Sequence, residues 1–268
     1  MSDSDDVFDV TSVKDDLKDN TIRGGFYTVG GRFFTIVVQA VGIMAMARLL
    51  LPKHFGLVAM VSPFIAYAKT FQDLGLGEVI MQRDDLEHGQ VSNLFWINAV
   101  VSLVLALIFM IGSPLITMFY SEPKLYEVVI FFSAGLFLEG LTVEHEAILK
   151  RQMRFGWLAF TDVGSTACSI IAGIATALYV PNVLALLIMA IFKSATKMLL
   201  LWAVTGWFPS LPSFSSQIKS LIQFGGNLTG FATVNFLSRQ FDDVLIGKRW
   251  GATPLGFYSK AYQLLLLP

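Results

Sequence analysis

Long apolar runs broken by short polar loops set the rhythm of this chain. Six of them occupy residues 33–51, 55–71, 93–120, 128–149, 157–180 and 183–204. A helix that crosses lipid needs about 20 mostly apolar residues, and these runs reach or approach that length. They do not alternate apolar with polar positions, as strands of a membrane barrel would, so helices are expected. A seventh, more polar run extends from Leu221 to about Gly247, and an eighth begins near Leu255. The pattern predicts an all-α, polytopic membrane protein with about seven or eight spans. It divides into an acidic segment (1–22), a six-helix lobe (23–207), a linker (208–220) and the start of a second lobe (221–268).

Composition strengthens that reading. Hydrophobic residues make up 54% and charged residues 15%, against roughly 45–50% and about 25% in soluble domains. Mean hydropathy is +0.64. A soluble helical protein accommodates one such run, not six in tandem. The net charge of −1 conceals an asymmetry: residues 1–23 hold seven Asp against three Lys or Arg, so the remainder is positive. This acidic start lacks the basic and apolar regions of a signal peptide. It reads equally as a cytoplasmic lead-in or as a tail without fixed structure. With the N-terminus inside, Lys14, Lys18, Arg23, Arg83, Lys150, Arg151, Arg154 and Lys219 lie on the cytoplasmic side, against Arg48, Lys53, Lys124, Lys248 and Arg249 outside. That modest bias favours a cytoplasmic N-terminus. The single cysteine, Cys168, excludes an intrachain disulfide and is expected to be a small packing residue.

A weak repeat appears at an offset of 200. "ARLLLPKHFGLVAM" (47–60) lines up with "GKRWGATPLGFYSK" (247–260), matching Arg48 to Lys248, Phe55 to Leu255, Gly56 to Gly256 and Leu57 to Phe257. Tandem halves of this sort are a common transporter construction. These residues, with "GRFFTIVVQAVGIMAMARLLLPKHFGLVAM", "FQDLGLGEVIMQR", "SNLFWIN", "ILKRQMRF" and "DDVLIGKRWGATPLGFYSKAYQLLLLP", resemble the polysaccharide transporters of the MOP superfamily, the Wzx-type O-antigen and colanic-acid exporters. The resemblance runs from about Arg23 to the last residue. It implies a MATE-like bundle of two six-helix lobes in the bacterial inner membrane. It also implies flipping of undecaprenyl-pyrophosphate-linked oligosaccharide for lipopolysaccharide or exopolysaccharide synthesis. The expected partners are that lipid-linked oligosaccharide, membrane lipids and polysaccharide polymerase machinery; no nucleic acid, no cofactor and no metal is expected. Against the family's usual length, the chain is expected to be a C-terminally truncated fragment, ending within the second lobe's second helix.

Ionisable groups inside spans are costly and default to functional candidates. The first span carries Arg32, Thr35, Gln39 and Gly42 at spacings of 3, 4 and 3, one helical face. The fifth carries Asp162, Ser165, Ser169 and Gly173; the sixth carries Lys193 and Lys197, four apart. Three polar stripes on apolar helices suit a water-filled lumen. Given the substrate that the resemblance implies, Arg32, Gln39, Lys193 and Lys197 are the lumen-binding candidates, the cations facing phosphate through charge-assisted hydrogen bonds. Each has an alternative: a headgroup anchor for Arg32, snorkelling for Lys197, and an ion pair with Asp162 or Glu139 for Lys193. Glu139 and Asp162 are candidates for binding a coupling proton, or else partners in helix–helix pairs. Lys69 with Asp73, and Arg239 with Asp243, read as local i,i+4 pairs. The seventh run, with Asn227, Thr229, Thr233, Asn235 and Ser238, is polar enough to line a cleft between lobes.

Other chemistry is thin. His54, His88 and His145 show no metal-ligand spacing, and "GLGEVIMQR" lacks the P-loop pattern. Pro63 and Pro114 fall within helices and predict kinks or helix ends. A lipid II or multidrug exporter of the same superfamily is the nearest alternative. A membrane glycosyltransferase or polymerase is a poorer one, since the loop "GWFPSLPSFSSQIKS" holds no acid, and no enzyme activity is expected.

Overall fold

The computed structural model describes residues 17–72, 77, 80–81, 88–212 and 242–265. Eight helices are traced end to end among them: α1 (Leu17–Leu49), α2 (Pro52–Gln72), α3 (His88–Tyr120), α4 (Leu125–Gly140), α5 (Val143–Arg151), α6 (Phe155–Tyr179), α7 (Val183–Thr205) and α8 (Ala252–Leu265). Residues 242–250 are also helical, and no strand occurs among the described residues. Most of the polar seventh run, with Arg239, lies outside the described residues, as does Asp73.

Helix ends follow local chemistry. Pro52 opens α2, where its missing N–H costs nothing. The Asn182 side chain accepts from Leu184 N at 2.8 Å to cap α7, and Gly206 ends it with φ of 61°. Pro114 stays inside α3 and leaves Met110 O without its usual N–H donor; the Ser113 hydroxyl donates to that oxygen at 2.8 Å instead.

Five stretches are long and apolar enough to cross a membrane: Gly24–Leu49, His88–Tyr120, Leu125–Arg151, Phe155–Tyr179 and Val183–Thr205. The first helix starts well before residue 33. α2, expected as the second span, is not among the five. It carries Ser62, Pro63, Lys69 and Gln72 and packs against α3, α4, α7 and α8. A helix surrounded by other helices does not need a lipid-compatible surface.

The expected fourth span is two helices, α4 and α5, broken at Leu141 and Thr142. In hydrocarbon every freed carbonyl needs a donor, and here each finds one. Glu139 O accepts from Thr142 N at 3.0 Å and from its hydroxyl at 2.6 Å. Gly140 O accepts from Asn98 Nδ2 at 3.0 Å, and Leu141 O from Trp202 Nε1 at 3.0 Å. Gln72 Nε2 donates to Leu136 O at 2.7 Å and to the Ser102 hydroxyl at 2.9 Å. Three neighbouring helices thus hold the break open.

The interior mixes an apolar core with buried polar groups, while large apolar side chains cover the outside. Ser102, Ser133, Thr161 and Ser165 are fully buried, whereas Ile111, Leu115, Met118 and Tyr179 are largely exposed. That apolar exterior is what lipid as solvent selects. α6 lies between α1 and α7, and α4 packs on α3 and α7. α1 approaches α6 so closely that a Cβ at Gly31 would fall on Ala159; small residues permit this approach between membrane helices. Cys168, expected to pack, is exposed on the outer face of α6.

Candidate functional site

Residues of the three predicted polar stripes line three partly open cavities of the bundle. One, of about 340 Å³, lies between α2, α4, α5 and α7 and is lined by Lys69, Glu139, Glu146, Lys150, Lys193 and Lys197. A second, of about 470 Å³, lies between α1 and α6 and is lined by Arg32, Thr35, Gln39 and Asp162, again with Glu146 and Lys150. A third, of about 330 Å³, lies toward the α1–α2 loop and is lined by Ser62, Ser169, Asp243, Lys260 and, shared with the first, Lys193. Lys193 therefore stands where two cavities meet. Glu146 and Lys150 stand on the wall between the first and the second.

Along these cavities a network of ion pairs and one hydrogen bond joins five helices. Lys197 Nζ lies 2.7 Å from Glu146 Oε1 and 2.9 Å from Asp162 Oδ1, which ties α7 to α5 and α6. Lys69 Nζ lies 2.5 Å from Glu139 Oε2, and the Ser194 hydroxyl donates to Glu139 Oε1 at 3.3 Å. Lys150 Nζ approaches Glu146 at 3.6 Å. Across the two larger polar cavities, five cations (Arg32, Lys69, Lys150, Lys193, Lys197) face three carboxylates (Glu139, Glu146, Asp162), leaving two positive charges in excess. Lysine and arginine at a cavity wall offer charge-assisted hydrogen bonds, so this excess suits an anion.

Two lysines expected to act alike are placed differently. Lys197 is saturated by two carboxylates, neither snorkelling nor free. Lys193, one turn earlier on α7, makes no ion pair among the described residues and projects into open cavity space. Neither Asp162 nor Glu139 pairs with Lys193 directly; they take Lys197 and Lys69. Arg32 likewise makes no ion pair among the described residues, and Gln39 borders both the α1–α6 cavity and an apolar groove toward α8. Lys69 pairs across the lumen with Glu139, while its expected partner, Asp73, lies outside the described residues.

Glu146, Lys150 and Lys69 escaped the sequence reading as lumen residues. A signal existed for two of them. Glu139, Glu146 and Lys150 are spaced 7 and 4, one helical face continued across the α4–α5 break. His145, buried on the opposite face of α5, shares a 2.8 Å hydrogen bond with Thr205 and sits against Trp202 and Trp207. It packs the end of the bundle and does not reach the lumen.

Comparison with known proteins agrees with this architecture. The chain is 28% identical over 205 residues to the teichuronic acid biosynthesis protein TuaB of Bacillus subtilis strain 168, covering 75% of this chain and 42% of that protein. It is 22% identical over 258 residues to the lipopolysaccharide biosynthesis protein WzxC of Escherichia coli K12, covering 94% and 52%. It is 25% identical over 244 residues to the succinoglycan biosynthesis transport protein ExoT of Rhizobium meliloti strain 1021, covering 90% and 47%. The chain thus spans about half the length of the curated relatives it matches. No solved structure matches it. Residues 45–268, most of the chain, match the family described as "Polysaccharide biosynthesis protein", and with its run of apolar helices the chain belongs to that family as a multi-pass membrane protein.

Proposed function

We propose that the protein exports lipid-linked oligosaccharide repeat units, carried on polyprenyl pyrophosphate, across the bacterial inner membrane with its N-terminus in the cytoplasm. In this reading residues 23–207 form the first lobe and residues from 221 open the second, with 208–220 as the linker. The observation that carries it is the uncompensated Lys193 at the junction of two cavities in an apolar bundle. A pyrophosphate cannot enter hydrocarbon unaccompanied, and an unpaired ammonium lining a cavity supplies a charge-assisted hydrogen bond. The names of TuaB, WzxC and ExoT, tied to teichuronic acid, lipopolysaccharide and succinoglycan biosynthesis, support a role in polysaccharide biosynthesis.

Lys193, and Arg32 and Gln39 in the neighbouring α1–α6 cavity, bind the anionic headgroup. Lys197 positions Glu146 and Asp162 and so keeps α5, α6 and α7 in register around it. Glu139 and Asp162 are the coupling groups in this reading: a proton on Glu139 releases Lys69, and a proton on Asp162 loosens Lys197, each adding a cation to the lumen. Surface-polysaccharide polymerase machinery receives the product outside. A strain without the gene and without a redundant exporter accumulates lipid-linked repeat units on the cytoplasmic face. Normal surface polysaccharide in that strain overturns the proposal.

A further inference from the structure

The offset-200 repeat has a structural counterpart that the lumen does not use. α2 and α8 begin at equivalent positions, Pro52 and Ala252, and pack against each other. At their crossing a Cβ on Gly56 would fall inside the carbonyl of Ala252, and a Cβ on Gly256 would fall inside the carbonyl of Pro52 and 3.0 Å from Gly56 N. Residue 56 meets 252 and residue 256 meets 52, so exchanging the two repeats maps this contact onto itself. That is the signature of an isologous contact on a two-fold axis. The next pair behaves alike: Lys260 Nζ lies 4.9 Å from the Phe55 ring centre, and their mates Met60 and Leu255 are buried in one cluster.

The crossing is made of backbone. Only glycine at both positions lets the helices approach until carbonyl oxygens touch Cα atoms, a contact of the Cα–H···O kind. It lies at the end of the bundle that holds the α1–α2 and α3–α4 connections. Beneath it is the cavity lined by Ser62, Lys193 and Lys260. The charged cavity with Lys69 and Glu139 lies toward the opposite end.

We propose that the Gly56–Gly256 crossing is the seal between the two lobes, closing the lumen on the α1–α2 loop side in this state and separating when that side opens. The inference rests on reading the chain as the first lobe, and the start of the second, of a two-lobed transporter. A contact on the axis relating two halves is where rocking of one against the other must make or break it. Backbone meeting backbone also leaves no gap for water or ions.

The test uses the full gene product in cells, with Cys168→Ser and Ser62→Cys as the reporter under the crossing. A membrane-impermeant maleimide is added to intact spheroplasts. Labelling of the reporter is expected to be slow in this background and about tenfold faster with Gly56→Val or Gly256→Val, the shift that an overpacking penalty produces. Gly112→Val, where an added Cβ meets nothing within 4 Å, leaves the rate unchanged. Unchanged labelling in both crossing variants at normal membrane abundance overturns the proposal, as does equal acceleration by Gly112→Val. If the valine variants do not accumulate, Phe55→Cys with Lys260→Cys in the Cys168→Ser background leaves both glycines intact. Joining those thiols with a short cleavable reagent stops export, and reduction restores it, measured against the untreated variant; undiminished export at complete cross-linking overturns the seal. The labelling readout needs no substrate, so its failure is separate from failure of the export assay.

Discussion

The two ends of the bundle are built on opposite principles. Around α5, the bundle is held apart by charge: Lys197, Glu146, Asp162, Lys69 and Glu139 bridge five helices and leave cavities between them. Around the start of α2, it is closed by the absence of side chains, with Gly56 and Gly256 letting two helices touch. Paired charges keep helices at side-chain distance and retain water; glycines remove that distance and exclude it. The difference shows how one apolar bundle can hold helices apart at one end and in backbone contact at the other.

Substitutions at graded positions break or sharpen this contrast. The largest effect is expected at the charged end from Lys193→Ala. Losing a hydrogen bond from an ionised donor costs about 1.5–3 kcal/mol, or roughly 10–100-fold in export. Thermal stability in detergent stays unchanged, because Lys193 holds no partner. Lys197→Ala does the reverse in kind: it leaves Asp162 without its cation and Glu146 with Lys150 alone. Unfolding in detergent is expected to show a loss of about 1–2 kcal/mol, tempered because Asp162 is half exposed. A Lys197 variant as stable as the parent but dead in export would return that residue to direct binding.

Asn98→Ala comes next. It strips the buried donor from Gly140 O at the α4–α5 break and costs about 1 kcal/mol in the same unfolding measurement. No loss there means that water fills the gap. At the closed end, Lys53→Ala removes the pair with Glu122 at 3.4 Å, whose lysine side chain is 48% exposed. Such pairs contribute at most about 1 kcal/mol, so stability and export are both expected to stay near the parent values. A large effect of Lys53→Ala would mean that charge, and not only glycine, holds this end shut.

Much of the fold is legible in the chain because its causes are local. Apolar run length marks five of the spanning stretches; Pro52, Asn182 and Gly206 mark helix ends through their own backbone chemistry. The polar stripes are legible too, since spacings of three and four place Arg32, Thr35 and Gln39 on one face in any helix. The α4–α5 break is not. "LEGLTVEH" contains no proline, and the interruption depends on Asn98, Trp202 and Gln72 reaching in from other helices.

Pairing within the lumen is equally hidden. Lys197 finds Glu146 and Asp162, 51 and 35 residues away, and Lys69 finds Glu139, 70 residues away. Sequence alone determined that this chain is an all-helical membrane protein, which faces of its helices are polar, and that residues 47–60 recur near 247–260. Those properties follow from hydrophobicity, helical period and glycine placement, which act within a few turns of the chain. Only the tertiary structure decided that Lys197 is neutralised while Lys193 is not, that α2 is shielded by its neighbours, and that the two repeats meet glycine against carbonyl. Each of these is a distance between segments remote in sequence, and a Coulombic or steric interaction is defined only once that distance exists.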